Sequence, residues 1–384
     1  MTTLKRYRAS NALAIVWLAT AFYIYTGEAG AVSTKVAPIP TPGLATTGES
    51  NAPGTGVLYV PFMPPRPGPA PPGTWEIYPS PTPYTLFDVA FVDANNGWAV
   101  GEKFILRYRN GVWRVFVQKE GYFFNGIDMV SPDDGWAIAY ESLGEEGYEI
   151  WHWDGSAWAS FQQLGPEENL LCIDMIDAGH GWIGSGRGWY HFKGSTWVFE
   201  EAPYFYARGI HMISDTDGRA AAYSSIYKRV GNQWIREAHN IDWGLRAISN
   251  LKDGTAWACG RTSFLPPYRD RAVLVRYNGV WNEYRRFEDA YDIKDLDFYG
   301  TKYGWAVGLN STHVPYGAFI AFFDGDDWAV VKAPTDRGLI GVDVLDERHA
   351  WAVGLYGTIL KYKPGPSPVV RATSLGKIKA LFNE

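Results

Sequence analysis

Between residues 74 and 363, apolar and polar residues alternate or gather in short apolar runs, and Gly, Asn and Asp punctuate them. Alternation at period two, broken by turn formers, predicts strands, and a 3.6-residue period is not seen. In the first unit "DVAFV" (88–92) reads as strand A, "GWAVG" (97–101) as strand B, "FILRYR" (104–109) as strand C and "VWRVFV" (112–117) as strand D. The pattern then recurs. "GWAVG" returns at 304–308 and "AWAVG" stands at 350–354, with echoes at 135–139, 181–185 and 256–260. The resulting anchors are Trp98, Trp136, Trp182, Arg219 in a degenerate copy, Trp257, Trp305 and Trp351, spaced 38, 46, 37, 38, 48 and 46 residues apart. Such a period belongs to propeller blades.

A second column follows each anchor, a Gly and then a Trp, reaching Trp113, Trp158, Trp197, Trp234, Trp281 and Trp328. The last unit stops at Pro364 without a strand D, whereas "GTWEIY" (73–78) carries the Gly–x–Trp signature with no unit before it. The N-terminal strand is therefore expected to complete the last blade, which closes the ring and removes the unpaired edge. The predicted fold is all-β, a seven-bladed β-propeller of four-stranded blades. Each Trp buries roughly 150–250 Å², so one per strand fills the widening wedge between blades.

Outside this region the composition changes. Lys5, Arg6 and Arg8 precede an apolar run at 12–25 and a small-residue "AGA" at 29–31, the layout of an export signal over 1–31. The run is short for a membrane span, but no charge falls between Arg8 and Glu28, so an uncleaved membrane tether is the alternative. Either way an extracytoplasmic location is expected: periplasmic, cell-surface or secreted. Residues 32–73 hold 11 of the 24 prolines and read as an extended linker. In the tail, 364–384, Leu375, Ile378, Leu381 and Phe382 share one face at helical spacing, suiting either docking on the propeller or a sorting role.

The repeated units resemble the photosystem II stability/assembly-factor-like propellers. They share a strand A such as "LFDVAFVDANN", then "GWAVG", a strand C, an Asn-Gly or Asp-Gly turn and a Trp. The turn is also similar to a degenerate Asp-box of sialidase-type propellers. The resemblance covers about 74–363. It implies scaffold or chaperone-like binding outside the cytoplasm rather than catalysis.

Charge and motifs narrow the chemistry. A net charge of −6 argues against a nucleic-acid partner. Only two cysteines occur, Cys172 and Cys259, in non-adjacent units, so a disulfide framework is not expected. HExxH, GxSxG, P-loop and zinc-type Cys/His spacings are missing from the sequence, and no cofactor, metal or catalytic residue is assigned.

Eight residues before each anchor stand Ala90, Asp128, Asp174, His211, Ser249, Asp297 and Asp343, between apolar neighbours. On the innermost strand they would form a polar ring in the central channel, either capping neighbouring strands and channel water or holding a cation. The D–A and B–C loops open on one face. That face carries Phe123, Phe124, Phe205, Tyr206, Trp243 and Tyr291 with Arg208 and Arg246, and long insertions at 140–149, 261–271 and 309–317. Aromatics with Arg compose interface hot spots. The expected binding face is Phe124, Tyr206, Arg208, Trp243, Arg246 and Tyr291, with a protein partner, or alternatively a glycan that is bound or processed. A sialidase-like site needs an arginine cluster, and no third arginine shares the column of Arg208 and Arg246.

Overall fold

The computed structural model describes residues 73–365, apart from 145, 203–205, 241, 263–269 and 311–315. The expected export segment, all of the linker but Gly73, and the tail from 366 lie outside the described residues. So do Phe205 and most of the insertions at 261–271 and 309–317.

The described chain is all β except for one 3-10 turn, Leu355–Gly357. After β1 (Gly73–Ile77), six strands form one sheet in chain order: β2 (Leu86–Asp93), β3 (Asn96–Arg109), β4 (Val112–Ser131), β5 (Asp134–Glu141), β6 (Gly147–Trp153) and β7 (Trp158–Leu164). A four-stranded sheet follows: β8 (Leu170–Asp177), β9 (His180–Ser185), β10 (Gly188–Lys193) and β11 (Trp197–Glu201). The next holds β12 (Ala207–Ser214), β13 (Asp217–Ala222), β14 (Ser225–Val230) and β15 (Gln233–His239). Then come β16 (Trp243–Asn250), β17 (Ala256–Thr262), β18 (Ala272–Tyr277) and β19 (Trp281–Phe287). Another holds β20 (Asp292–Tyr299), β21 (Tyr303–Leu309), β22 (Ala318–Phe323) and β23 (Trp328–Val330). The last comprises β24 (Leu339–Asp346), β25 (His349–Gly354) and β26 (Ile359–Pro364), completed by β1.

The propeller therefore has six blades, not seven, and the first two sequence repeats share the six-stranded one. Two long strands cause this. β3 pairs with β2 through Asn96–Gly101 and with β4 through Glu102–Arg109, with Lys103 in the left-handed region (φ 67°) at the change of partner. β4 pairs with β3 through Val112–Phe123 and with β5 through Tyr122–Ser131. The link between these repeats, "VQKEGYFFNG" (117–126), contains no Pro, so the extended ladder runs on. Links such as "GPEEN" and "KAPTDRG" break it elsewhere.

The first strands form the inner ring. β2 lies against the second half of β4, which lies against β8, then β12, β16, β20, β24 and back to β2. Closure is by β1 on β26 in antiparallel register, with Trp75 opposite Tyr362 and Glu76 opposite Lys361.

Indole pairs fill each wedge, and the pairing is regular all the way round. Every anchor meets the strand-D Trp of the next repeat nearly edge-on. Trp98 meets Trp158 at 5.5 Å, Trp136 meets Trp197 at 5.4 Å, and Trp182 meets Trp234 at 5.5 Å. Trp257 meets Trp328 at 5.6 Å, Trp305 meets Trp75 at 5.0 Å, and Trp351 meets Trp113 at 5.7 Å. Interplanar angles of 79–89° suit ring quadrupoles, and such a pair contributes about 0.5–1.5 kcal/mol beyond its burial.

The degenerate copy keeps the same geometry with different chemistry. Arg219 is buried, lies 4.2 Å from the Tyr277 ring and 5.9 Å from Trp281, the strand-D Trp of the next repeat. Its Nε donates to Glu237 at 2.7 Å, and Trp281 Nε1 donates to the same carboxylate at 2.8 Å. The other face of several anchors carries a strand-C cation or imidazole. Arg107 lies 4.9 Å from Trp98, His152 4.3 Å from Trp136, His191 3.9 Å from Trp182, Arg276 5.1 Å from Trp257 and Lys361 4.9 Å from Trp351.

The Gly of the strand C–D turn has positive φ in each repeat that has one: Gly111, Gly155, Gly194, Gly231, Gly279 and Gly325. Only Gly takes that conformation without strain, which explains its fixed place before the Trp.

Candidate functional site: a basic arc above an acidic channel

The polar column lies on the inner strands and bridges them. Asp128 accepts from Met129 N on its own strand (2.7 Å) and from Met175 N on the next inner strand (2.6 Å). Asp174 accepts from Met212 N at 2.6 Å, and Asp297 from Phe298 N and Val344 N, both at 2.7 Å. His211 Nδ1 accepts from Asn250 N (3.2 Å) and lies 3.3 Å from the Ser249 hydroxyl. Two further carboxylates, overlooked in the sequence, form a second tier two residues earlier. Asp88 accepts from Ile127 N (3.0 Å) and Asp295 from Val342 N (2.9 Å). Ala90 is buried, and Asp343 has a buried Oδ2 with no hydrogen-bond partner.

Crowding raises these acids. Burial, followed by the neighbouring carboxylates, pushes Asp128 up to about 8, while burial is the main cause for Asp88 and Asp174, each up to about 7. Burial also drives Asp295 and Asp343 well above the usual carboxylate range and pushes Asp297 upward. Burial lowers His211. Among the described residues, no group of three His, Cys, Asp or Glu has metal-binding geometry. The carboxylates act as inter-blade staples, the strand-capping role the sequence left open beside cation binding.

The binding-face residues divide. Phe124 is fully buried against Tyr122 and Trp151, and Trp243 is 4% exposed in the core around Leu245 and Trp281. Neither presents a ring to a partner, so that part of the expected face is corrected. Both sit where an inner strand begins, and rings there turn inward to pack. Tyr206 is 48% exposed. Arg208 and Arg246 are half-buried near the starts of β12 and β16. Tyr291 is half-buried and stacks on Tyr316 at 5.7 Å.

The sequence search looked only for arginines and so missed the third member of the column. Lys294 stands eleven residues before Trp305, as Arg246 does before Trp257 and Arg208 before Arg219. Three consecutive inner strands thus carry a cation at one level. Arg246 Nη2 and Lys294 Nζ both contact Asp292 Oδ2, at 3.0 and 2.7 Å. Asp292 is fully buried. Burial would raise its pKa, but Arg246, Lys294 and Arg261 hold it below the ordinary value. Burial, then Arg246, lowers Lys294 to about 8. Arg261, at the same end of β17, pairs with Asp270 at 3.3 Å and contacts the Tyr291 hydroxyl. Arg208 lies 5.9 Å from the Tyr223 ring, and its buried Nε has no hydrogen-bond partner. Four cations face two carboxylates here, an excess of two positive charges. Three residues further along the same strands the sign reverses at His211, Ser249 and Asp297.

The two cysteines remain free thiols, and burial raises both.

No protein-family model and no curated protein matches the chain. Solved structures do. A structure of YCF48 bound to D1 peptide aligns over 80% of this chain and 99% of its own, at 18% identity and TM-score 0.57. YCF48 from Cyanidioschyzon merolae aligns over 76% of this chain and 99% of its own, at 17% identity and TM-score 0.55. The WD40 propeller domain of Doa1 aligns over 77% and 98%, at 12% identity and TM-score 0.57. The chain is a β-propeller with a fold-level resemblance to the photosystem II assembly-factor type.

Proposed function

We propose that this propeller is a non-catalytic, protein-binding scaffold of the cell envelope or surface, and that it holds an acidic peptide segment at the basic arc. The observation that carries the reading is the cation column Arg208–Arg246–Lys294, joined by Arg261 and left with two uncompensated positive charges beside exposed Tyr206. Desolvated guanidinium groups next to tyrosines match peptide carboxylates in geometry and charge. A YCF48 propeller of the same fold is bound to a peptide, which supports this mode of use. The export signal or tether over 1–31 and the Pro-rich spacer suit work at a distance from the membrane.

The test is fluorescence anisotropy with an acidic peptide, a glutamate-rich 12-mer for instance, beside a pull-down from the native envelope. Arg208→Ala with Lys294→Ala should weaken peptide binding by about tenfold or more and flatten its salt dependence. Unchanged affinity in the double variant would remove the arc from the reading.

A glycan ligand is the second reading, favoured by the exposed rings of Tyr206 and Tyr223 beside Arg208. Specific glycan-array hits abolished by Tyr206→Ala would select it.

A further inference from the structure

The ring closure encloses a second cationic site on the blade shared by the two chain ends. A cleft of about 240 Å³ is lined there by Glu76, Tyr78, Arg348, His349, Lys361 and Lys363, among others. Lys361 sits between Trp351 on β25 and Glu76 on β1 in the cross-strand register. Glu76 nevertheless pairs with Lys363, at 2.9 Å. Among the described residues the Lys361 ammonium has no carboxylate partner. Its surroundings are the rings of Trp351 (4.9 Å), Tyr78 (5.6 Å) and Tyr108 (5.8 Å) and a 3.5 Å contact with the Tyr108 hydroxyl. Tyr78 is held in place as a wall, because its hydroxyl donates to Gly111 O at 2.6 Å. His349 has its Nδ1 engaged by Asp346 at 2.8 Å.

The lining thus carries Arg348, Lys361 and Lys363 against Glu76, a surplus of two positive charges. A phosphate monoester carries about two negative charges near neutral pH, and its oxygens accept from both ammonium and guanidinium donors. We propose that this cleft binds an oxyanion of the phosphate class, and that occupancy tightens the closure of the ring. The coupling follows from where the lining originates: β1 brings Glu76, with Tyr78 next to it, β26 brings Lys361 and Lys363, and the turn before β25 brings Arg348. An anion that neutralises the β26 lysines favours the clasped state over the open one.

The experiment is a thermal melt of the full chain in inorganic phosphate against sodium chloride at equal ionic strength, with a parallel arm of phosphatidylglycerol vesicles for co-sedimentation. Lys361→Met keeps the aliphatic stem on Trp351 and removes the charge. Arg348→Gln is the second variant should the first fold poorly. Expected is a saturable rise in Tm of about 2–4 °C in phosphate, reduced in both variants. Binding in the vesicle arm alone, lost in the variants, would identify a lipid headgroup as the source of the phosphate. No saturable response in either arm, or wild-type responses in both variants, would overturn the proposal.

Discussion

The wedges between blades and the inner strands are built from the same repeats and obey opposite rules. In the wedges the filler is almost invariant, an indole edge-on to an indole at 5.0–5.7 Å, and the exception, Arg219, preserves the contact by stacking on Tyr277. On the inner strands the residue type changes from blade to blade: Asp128, Asp174, His211, Ser249, Asp297. One level up only three neighbouring strands carry a cation. The wedge must close identically at every step, so its variation is confined to substitutes of the same shape. The inner strands meet solvent and ligands, and there asymmetry is what creates a site. In this molecule regularity marks packing and its breakdown marks candidate function.

The sharpest break of that contrast is Trp305→Ala. It empties a wedge and removes the partner of Trp75, which also loosens the closure. A loss of about 3–5 kcal/mol in urea unfolding is expected. A loss below about 1 kcal/mol would mean that the indoles are not the principal filler. Arg219→Ala should cost about 2–4 kcal/mol, because it leaves Glu237 half-buried without its cation. In a double-mutant cycle, adding Glu237→Ala should recover part of that cost, and strict additivity would deny the coupling.

Asp128→Asn tests the inner strands. The folded-state pKa of Asp128, about 8, lies above that of an unfolded Asp, so the folded chain binds more protons between about pH 4 and 8. Wild-type stability therefore falls as pH rises through that window. Asn cannot ionise, but it loses one acceptor for Met175 N. The variant should melt lower than wild type at pH 5, and the gap should narrow by about 2 °C or more by pH 8.5, as read by differential scanning fluorimetry. A constant gap would show that the carboxylate does not titrate there. The smallest effect on folding is expected for Arg208→Ala, within about 0.5 kcal/mol, since Arg208 has no ion-pair partner among the described residues. A much larger loss would reclassify the arc as structural.

Much of the fold was legible because strand and turn chemistry is local. Apolar alternation marked the strands, Gly before Trp marked turns of positive φ, and a lone "GTWEIY" opposite a missing strand D foretold the pairing of Trp75 with Tyr362. The blade count was not legible. Whether one sheet ends and the next begins depends on whether hydrogen bonding continues through 117–126, and that ladder is formed with a partner strand far along the chain.

The binding face was read less well. Phe124 and Trp243 fell in the right loops but turned inward, because direction at the start of an inner strand is set by neighbouring blades. Lys294 was overlooked for being a lysine among arginines. By itself the sequence determined the repeat, its fillers, its turns and its closure, since each follows from residues within reach of one another along the chain or from a period of about forty. Tertiary structure alone decided how many sheets those repeats make, which rings are covered, and that cations from three separate repeats converge over an acidic channel. Those outcomes depend on contacts between segments that no local pattern encodes.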